Sequence, residues 1–225
     1  MEKFKRREFI KTSAVVTGGI ALNASSISSV FAAGTDQIKV ALVGCGGRGT
    51  GAAVDALNSG QNVKLVALAD VFRDNLDSAF NNLSKRYADK MDIPESRKYV
   101  GFDAYKHAIK DADVVLLVTP PGFRPEHFEE AVRQGKHVFM EKSVAVDVPG
   151  VRRVLEAAKI AEQKKLNVVV GLQRRFQQNY REGIQRVQDG VIGDIVAGQV
   201  YWNSGGVWVR PRTPEQTEME YQLRN

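Results

Sequence analysis

Gly44, Gly46 and Gly49 fall in the run Gly44-Cys45-Gly46-Gly47-Arg48-Gly49 at the spacing G-x-G-x-x-G, and Asp70 stands 21 residues after the last of them. Glycines so spaced suit two linked phosphates. The first permits a tight turn, the second lets backbone approach the phosphates, and the third lets a helix pack closely on a strand. Amides at the start of that helix then face the anion. A carboxylate at the position of Asp70 reaches the adenosine ribose hydroxyls, and its charge opposes a 2′-phosphate, which favours NAD over NADP. Arg73, close behind, acts in the opposite sense. Cys45, Gly47 and Arg48 complete the candidate loop. The Cys45 thiol reads either as a reactive group at a helix N-terminus or as a small side chain packed beside the cofactor, and packing is the reading adopted.

The glycine spacing alone is weak evidence, because 20 glycines make chance matches. Its context strengthens it. Residues 38–43 are a short apolar, β-branched run ending at the first glycine, as in a buried parallel strand. Residues 50–58 can form a helix with Ala53, Val54 and Leu57 on one face. Further strands are predicted at 62–69, 99–100, 113–119, 136–140 and 167–170. Helices are predicted at 74–90 (stripe Leu76, Phe80, Leu83), 125–134 and 148–165 (stripe Val151, Val154, Leu155, Ala158). Strands and helices alternating with short connections imply an α/β fold, a Rossmann-type doubly wound parallel sheet, over residues 36–171. Ligands of such sheets sit at the carboxyl ends of strands, so the loops after Val43, Ala69, Thr119, Met140 and Val170 converge on one crevice. A helix at 178–188 and a strand at 195–202 are expected to begin a second sheet. One strand cannot stand alone in water, so residues 172–225 are expected to be the incomplete start of a second α/β domain.

The chain has 32 Lys and Arg against 26 Asp and Glu, and 43% hydrophobic residues, which is ordinary globular composition. Half of its positive excess lies in residues 1–32; the remainder holds 27 basic and 24 acidic side chains, too balanced for a continuous track along nucleic acid. Residues 1–32 carry Arg6-Arg7, then Phe9-Ile10, then a modest apolar stretch and small residues up to Ala32. This has the form of a twin-arginine export signal, and the apolar stretch is well short of the roughly 20 residues of a membrane span. Export in a folded state, to the periplasm or beyond, suits a chain that must collect its cofactor first. One cysteine and three histidines offer no metal-ligand spacing.

Several stretches, taken in order, resemble the Gfo/Idh/MocA family over residues 38–202: the glycine loop, the strand into Thr119-Pro120, Gly135-Lys136-His137-Val138, Glu141-Lys142 and Gly171-Leu172-Gln173-Arg174-Arg175-Phe176. The resemblance implies an NAD(P)-dependent oxidoreductase acting on a sugar-type small molecule, with a second, open-sheet domain closing over the nicotinamide and a homo-oligomer when full length. Lys142 carries over as the lysine that contacts substrate hydroxyls and assists proton transfer. In a dry crevice its charged form would be disfavoured, suiting it as a base. Glu141 would orient that lysine or contact the cofactor ribose, unless residues 141–142 form a surface ion pair. Thr119, Pro120 and Gln173 would lie against the cofactor and Arg175 against the substrate. Ser143 stands where the family pattern continues with proline. The family's histidine after Thr-Pro falls on Arg124, with His127 about one helical turn later, either substituting in space or facing solvent. The string from Asp103 to His107 matches a D-x-x-x-H spelling by chance. Two alternatives to net oxidation remain: a redox-neutral glycoside hydrolase or lyase passing through a transient keto-sugar, and a non-catalytic dinucleotide-binding module.

Overall fold

A computed structural model describes residues 37–60, 62–205 and 209–225. The expected export signal at 1–32 lies outside the described residues. Two compact units divide the chain between Leu172 and Gln173.

The first unit is a six-stranded parallel sheet in the order β3-β2-β1-β4-β5-β6. Its strands are β1 (Ile38–Val43), β2 (Val63–Asp70), β3 (Lys98–Val100), β4 (Val114–Leu117), β5 (His137–Met140) and β6 (Val168–Val170). Its helices are α1 (Gly47–Asn58), α2 (Arg73–Tyr87), α3 (Ala104–Lys110), α4 (Arg124–Arg133) and α5 (Val148–Gln163). Side chains alternate across a strand, so each central strand feeds two cores. Ala41 and Val43 of β1 pack with Ile109 of α3, Phe128 of α4 and Val154 of α5. Val40 and Leu42 pack with Leu57 of α1 and with Leu76 and Leu83 of α2. Burial on both faces is why these strands read as unbroken apolar runs. The chain order reverses between β1 and β4, which opens a crevice at the carboxyl ends of these neighbours.

Several boundaries differ from the sequence expectation, each for a local reason. Helix α1 starts at Gly47, not Thr50, because the third glycine lies inside its first turn. Helix α2 tightens into a 3-10 turn at Ala88–Lys90. Helix α3 was not expected; His107 within it stacks on Tyr99 with ring centroids 5.4 Å apart, an ordinary packing role. The stripe of α5 is Val154, Ala157 and Ala161, while Val151, Leu155 and Ala158 are exposed. Alanines on the buried face let backbones approach closely, so small residues carry this contact rather than the large ones.

The second unit holds α6 (Gln178–Gln188) and α7 (Glu218–Arg224). Thr217 caps α7, its Oγ1 accepting from the Glu220 amide at 3.2 Å. The strand expected at 195–202 does not form: these residues have no regular structure, and Val196 and Val200 are each 95% exposed. The apolar pattern has no partner strand, and an isolated strand leaves its amides and carbonyls unpaired. No second sheet occurs among the described residues.

Candidate functional site

The turn after β1 is shaped by what its glycines exclude. Gly44 has φ +97°, and a Cβ there would lie 2.6 Å from the Thr119 amide nitrogen. A Cβ on Gly49 would lie 1.8 Å from the Gly44 carbonyl oxygen, so α1 sits directly on the turn. Gly46 and Gly47 are the opposite case: exposed, with nothing within 4 Å of an added Cβ. No side chain caps α1 and its first turn holds no acidic residue. An open glycine cradle at an uncapped helix start fits a diphosphate.

Asp70, at the end of β2, holds that turn from the side. Its Oδ2 accepts from the Cys45 amide at 2.7 Å, and its Oδ1 from the Phe72 amide at 2.8 Å and the Asn75 side chain at 3.4 Å. An ionised carboxylate has about four lone-pair positions, so the half-buried group retains capacity for ribose hydroxyls. Arg73 is engaged elsewhere, its Nε donating to both Asp77 oxygens (3.0 and 2.9 Å) and its Nη2 to Glu95. A 2′-phosphate would compete with two carboxylates for it. Cys45 is packed, as the adopted reading has it. The residue is 2% exposed, its Sγ donates to the Ala69 carbonyl at 3.5 Å, and burial, then the Asp70 charge, pushes the thiol pKa up. Both effects disfavour a reactive thiolate.

Thr119 and Glu141 follow β4 and β5 at the same edge of the sheet. The Thr119 hydroxyl lies 3.1 Å from His127 Nδ1, while Pro120 is exposed. His127 does not face solvent: it is 7% exposed and stacks on Tyr105 at 4.1 Å. Burial, then the charge of Arg124, pulls its pKa down to about 4, so the ring is neutral at ordinary pH. Arg124 is 2% exposed and donates to the Thr119 and Ser143 carbonyls; its Nε finds no hydrogen-bond partner among the described residues. Burial lowers its pKa, and the Glu141 charge opposes that. This guanidinium thus ties the loop after β4 to the loop after β5. Besides standing where the family pattern has histidine, Arg124 gives one local sequence signal, a cation in the first turn of α4, where the helix dipole disfavours positive charge.

Glu141 is buried, its side chain 8% exposed, and Oε1 accepts from Arg48 Nε at 2.7 Å and Nη2 at 2.6 Å. Gly171 makes room for it: a Cβ there would lie 3.1 Å from Glu141 Oε1. The 141–142 pair is therefore not a surface ion pair, since Glu141 turns inward to Arg48. Lys142 is exposed, and the dry crevice expected around it is not formed by the first unit. Its peptide bond to Ser143 is cis. Gln173 and Arg175 lie on an exposed 3-10 turn, Gln173–Arg175, that opens the second unit. Among the described residues no group of three or more His, Cys, Asp or Glu could hold a metal ion.

The sheet order, the glycine turn and the acidic end of β2 define a Rossmann dinucleotide-binding domain. Residues 38–172 match the family described as "Oxidoreductase family, NAD-binding Rossmann fold". The chain belongs to this family, Gfo/Idh/MocA, and its cofactor is NAD. It is similar to a "Glycosyl hydrolase family 109 protein" of Shewanella baltica, 26% identical over 219 aligned residues, covering 88% of this chain and 46% of that protein. Among solved structures it is similar to scyllo-inositol dehydrogenase from Lactobacillus casei with bound NAD(H) and scyllo-inositol (29% identity, TM-score 0.55, covering 71% of this chain and 43% of that one). It is also similar to myo-inositol 2-dehydrogenase from Lactobacillus plantarum (28% identity, TM-score 0.58, covering 72% and 44%). The chain thus spans less than half the length of these relatives.

Proposed function

We propose that the whole protein transfers a hydride between NAD and a hydroxyl-bearing ring carbon of a sugar or cyclitol. The observation that carries this reading is the common edge at which the open Gly46-Gly47 turn, Asp70 and the Glu141-Lys142 loop all lie. The turn amides hold the diphosphate, and Asp70 accepts from the adenosine ribose hydroxyls while resisting a 2′-phosphate. Nicotinamide supplies the hydride acceptor. Lys142 Nζ takes the proton from the substrate hydroxyl as that carbon becomes a carbonyl. Arg124, through the Ser143 carbonyl, steadies the segment that carries Lys142. The family resemblance assigns Gln173 to the cofactor and Arg175 to the substrate. Residues 1–32 direct export by the twin-arginine route.

The similarity to a glycosyl hydrolase family 109 protein favours a second reading, in which the hydride is returned after a glycosidic substituent has left, with no net redox change. Incubating the full-length protein with NAD, scyllo-inositol and a panel of aryl glycosides separates the two. Accumulating NADH is expected from the first reading and released aglycone without NADH from the second. NAD binding with neither product would overturn both and leave a binding module. Export is tested by fusing residues 1–32 to a reporter: Arg6→Lys with Arg7→Lys should hold it in the cytoplasm, and unchanged export would exclude the twin-arginine route.

A further inference from the structure

Resting on the dinucleotide reading, we propose that Arg48 exchanges partners when the cofactor binds, passing from the Glu141 carboxylate to the diphosphate and so releasing Glu141. Arg48 follows β1 and Glu141 follows β5, and β4 lies between those strands. The bridge of 2.6 Å therefore crosses the carboxyl end of β4. A dinucleotide seated on the Gly46-Gly47 turn and reaching the Glu141-Lys142 loop must cross the same end.

The chemistry favours exchange. Both Arg48 contacts fall on one oxygen, Oε1, so the planar fork of the guanidinium is not matched by the carboxylate. A diphosphate offers paired oxygens and more charge. The Arg48 side chain is 55% exposed, with Asp55 a longer second contact at 3.7 Å, so solvent rather than packed protein surrounds much of it. Glu141 is only 8% exposed and lies close against Gly171, so it has little room to follow. On release, its carboxylate becomes an acceptor beside Lys142, available only when cofactor is present. Cofactor and Glu141 thus compete for one cation.

Titration calorimetry of the full-length protein with NAD tests this. Arg48→Ala should weaken binding about tenfold, as expected for losing a charge-assisted contact. Glu141→Gln removes the competitor and should tighten binding about threefold, the scale of a part-exposed ion pair. The double variant should bind like Arg48→Ala alone. Arg48→Gln repeats the first arm with a longer side chain, and circular dichroism checks that each variant is folded. Weaker or unchanged binding by Glu141→Gln, or wild-type affinity in both Arg48 variants, would overturn the exchange. Absence of NAD binding by the wild type would instead overturn the dinucleotide reading.

Discussion

The glycine turn separates what folding requires from what binding requires, and two single-methyl substitutions should pull them apart. An alanine at Gly49 places Cβ 1.8 Å from the Gly44 carbonyl oxygen, 1.2 Å short of the 3.0 Å below which such contacts are not found. The obstacle is backbone and cannot rotate away, so α1 must lift from the turn and disturb Leu57, Ala53 and the Leu42 face of β1. Overpacking of this kind costs about 3 kcal/mol, the upper end of the usual range. For a domain of this size that lowers Tm by about 10 °C. At Gly46, by contrast, an added Cβ meets nothing within 4 Å, and φ is −69°. Alanine at this N-cap costs about 1 kcal/mol or less, yet its methyl projects where the diphosphate must approach. Thermal unfolding by circular dichroism, paired with NAD titration, reads both effects. Gly49→Ala should melt well below wild type, while Gly46→Ala should melt within about 3 °C of wild type and lose most NAD affinity. A Gly49→Ala protein as stable as wild type, or a Gly46→Ala protein with full affinity, would refute this account of the turn.

Other groups give equally direct tests. His127 titrates near 4 in the fold against an ordinary 6.5, so between those values the unfolded chain binds more protons and stability rises with pH. Wild type should lose up to about 3 kcal/mol from this group as pH falls through the window. Urea midpoints at about pH 4.5 and about pH 7 should therefore differ less in His127→Leu than in wild type, and equal differences would remove His127 from the account. Asp70→Asn sets an amide N–H against the Cys45 or Phe72 amide, which should cost about 1 to 3 kcal/mol of stability. It should also narrow the NAD preference over NADP; an unchanged ratio of the two Kd values would show that Asp70 does not face the ribose. Buried Cys45 should resist iodoacetamide in the native protein and react fully in denaturant, and native labelling would contradict its packing.

Most of the sheet was legible because its strands are buried on both faces, so Ile38–Val43 and the apolar runs through Val114–Leu117 and His137–Met140 need no periodicity to stand out. The glycine turn was legible for a related reason. A positive φ at Gly44 and a carbonyl against Gly49 tolerate one residue type only, so backbone geometry is written directly into the sequence. What stayed hidden depends on distant partners or on none. Helix α3 is short, with a mixed stripe of Ala104, Tyr105, Ala108 and Ile109. The α5 face is carried by alanines, whose packing value depends on how closely α4 approaches. Residues 195–202 have a strand-like apolar, β-branched and aromatic composition, but pairing belongs to a sheet and not to a segment. Arg48 and Glu141 are 93 residues apart, and nothing local to either announces the other.

That last pair, set beside Asp70, shows how one edge can hold two carboxylates for different purposes. Asp70 accepts from two backbone amides, Cys45 and Phe72. Amides fixed by the turn cannot leave, so the carboxylate is oriented before any ligand arrives and loses little freedom on binding. Glu141 accepts instead from a guanidinium on a half-exposed side chain that other anions can draw away. The first arrangement suits constant recognition of an adenosine ribose. The second suits a group whose availability depends on what else is bound, and its location after β5 sets it next to Lys142, the proposed proton acceptor. Replacing Arg48 by an uncharged residue should therefore alter cofactor affinity and the environment of Glu141 together, whereas disturbing Asp70 should change ribose recognition and leave Glu141 as it is.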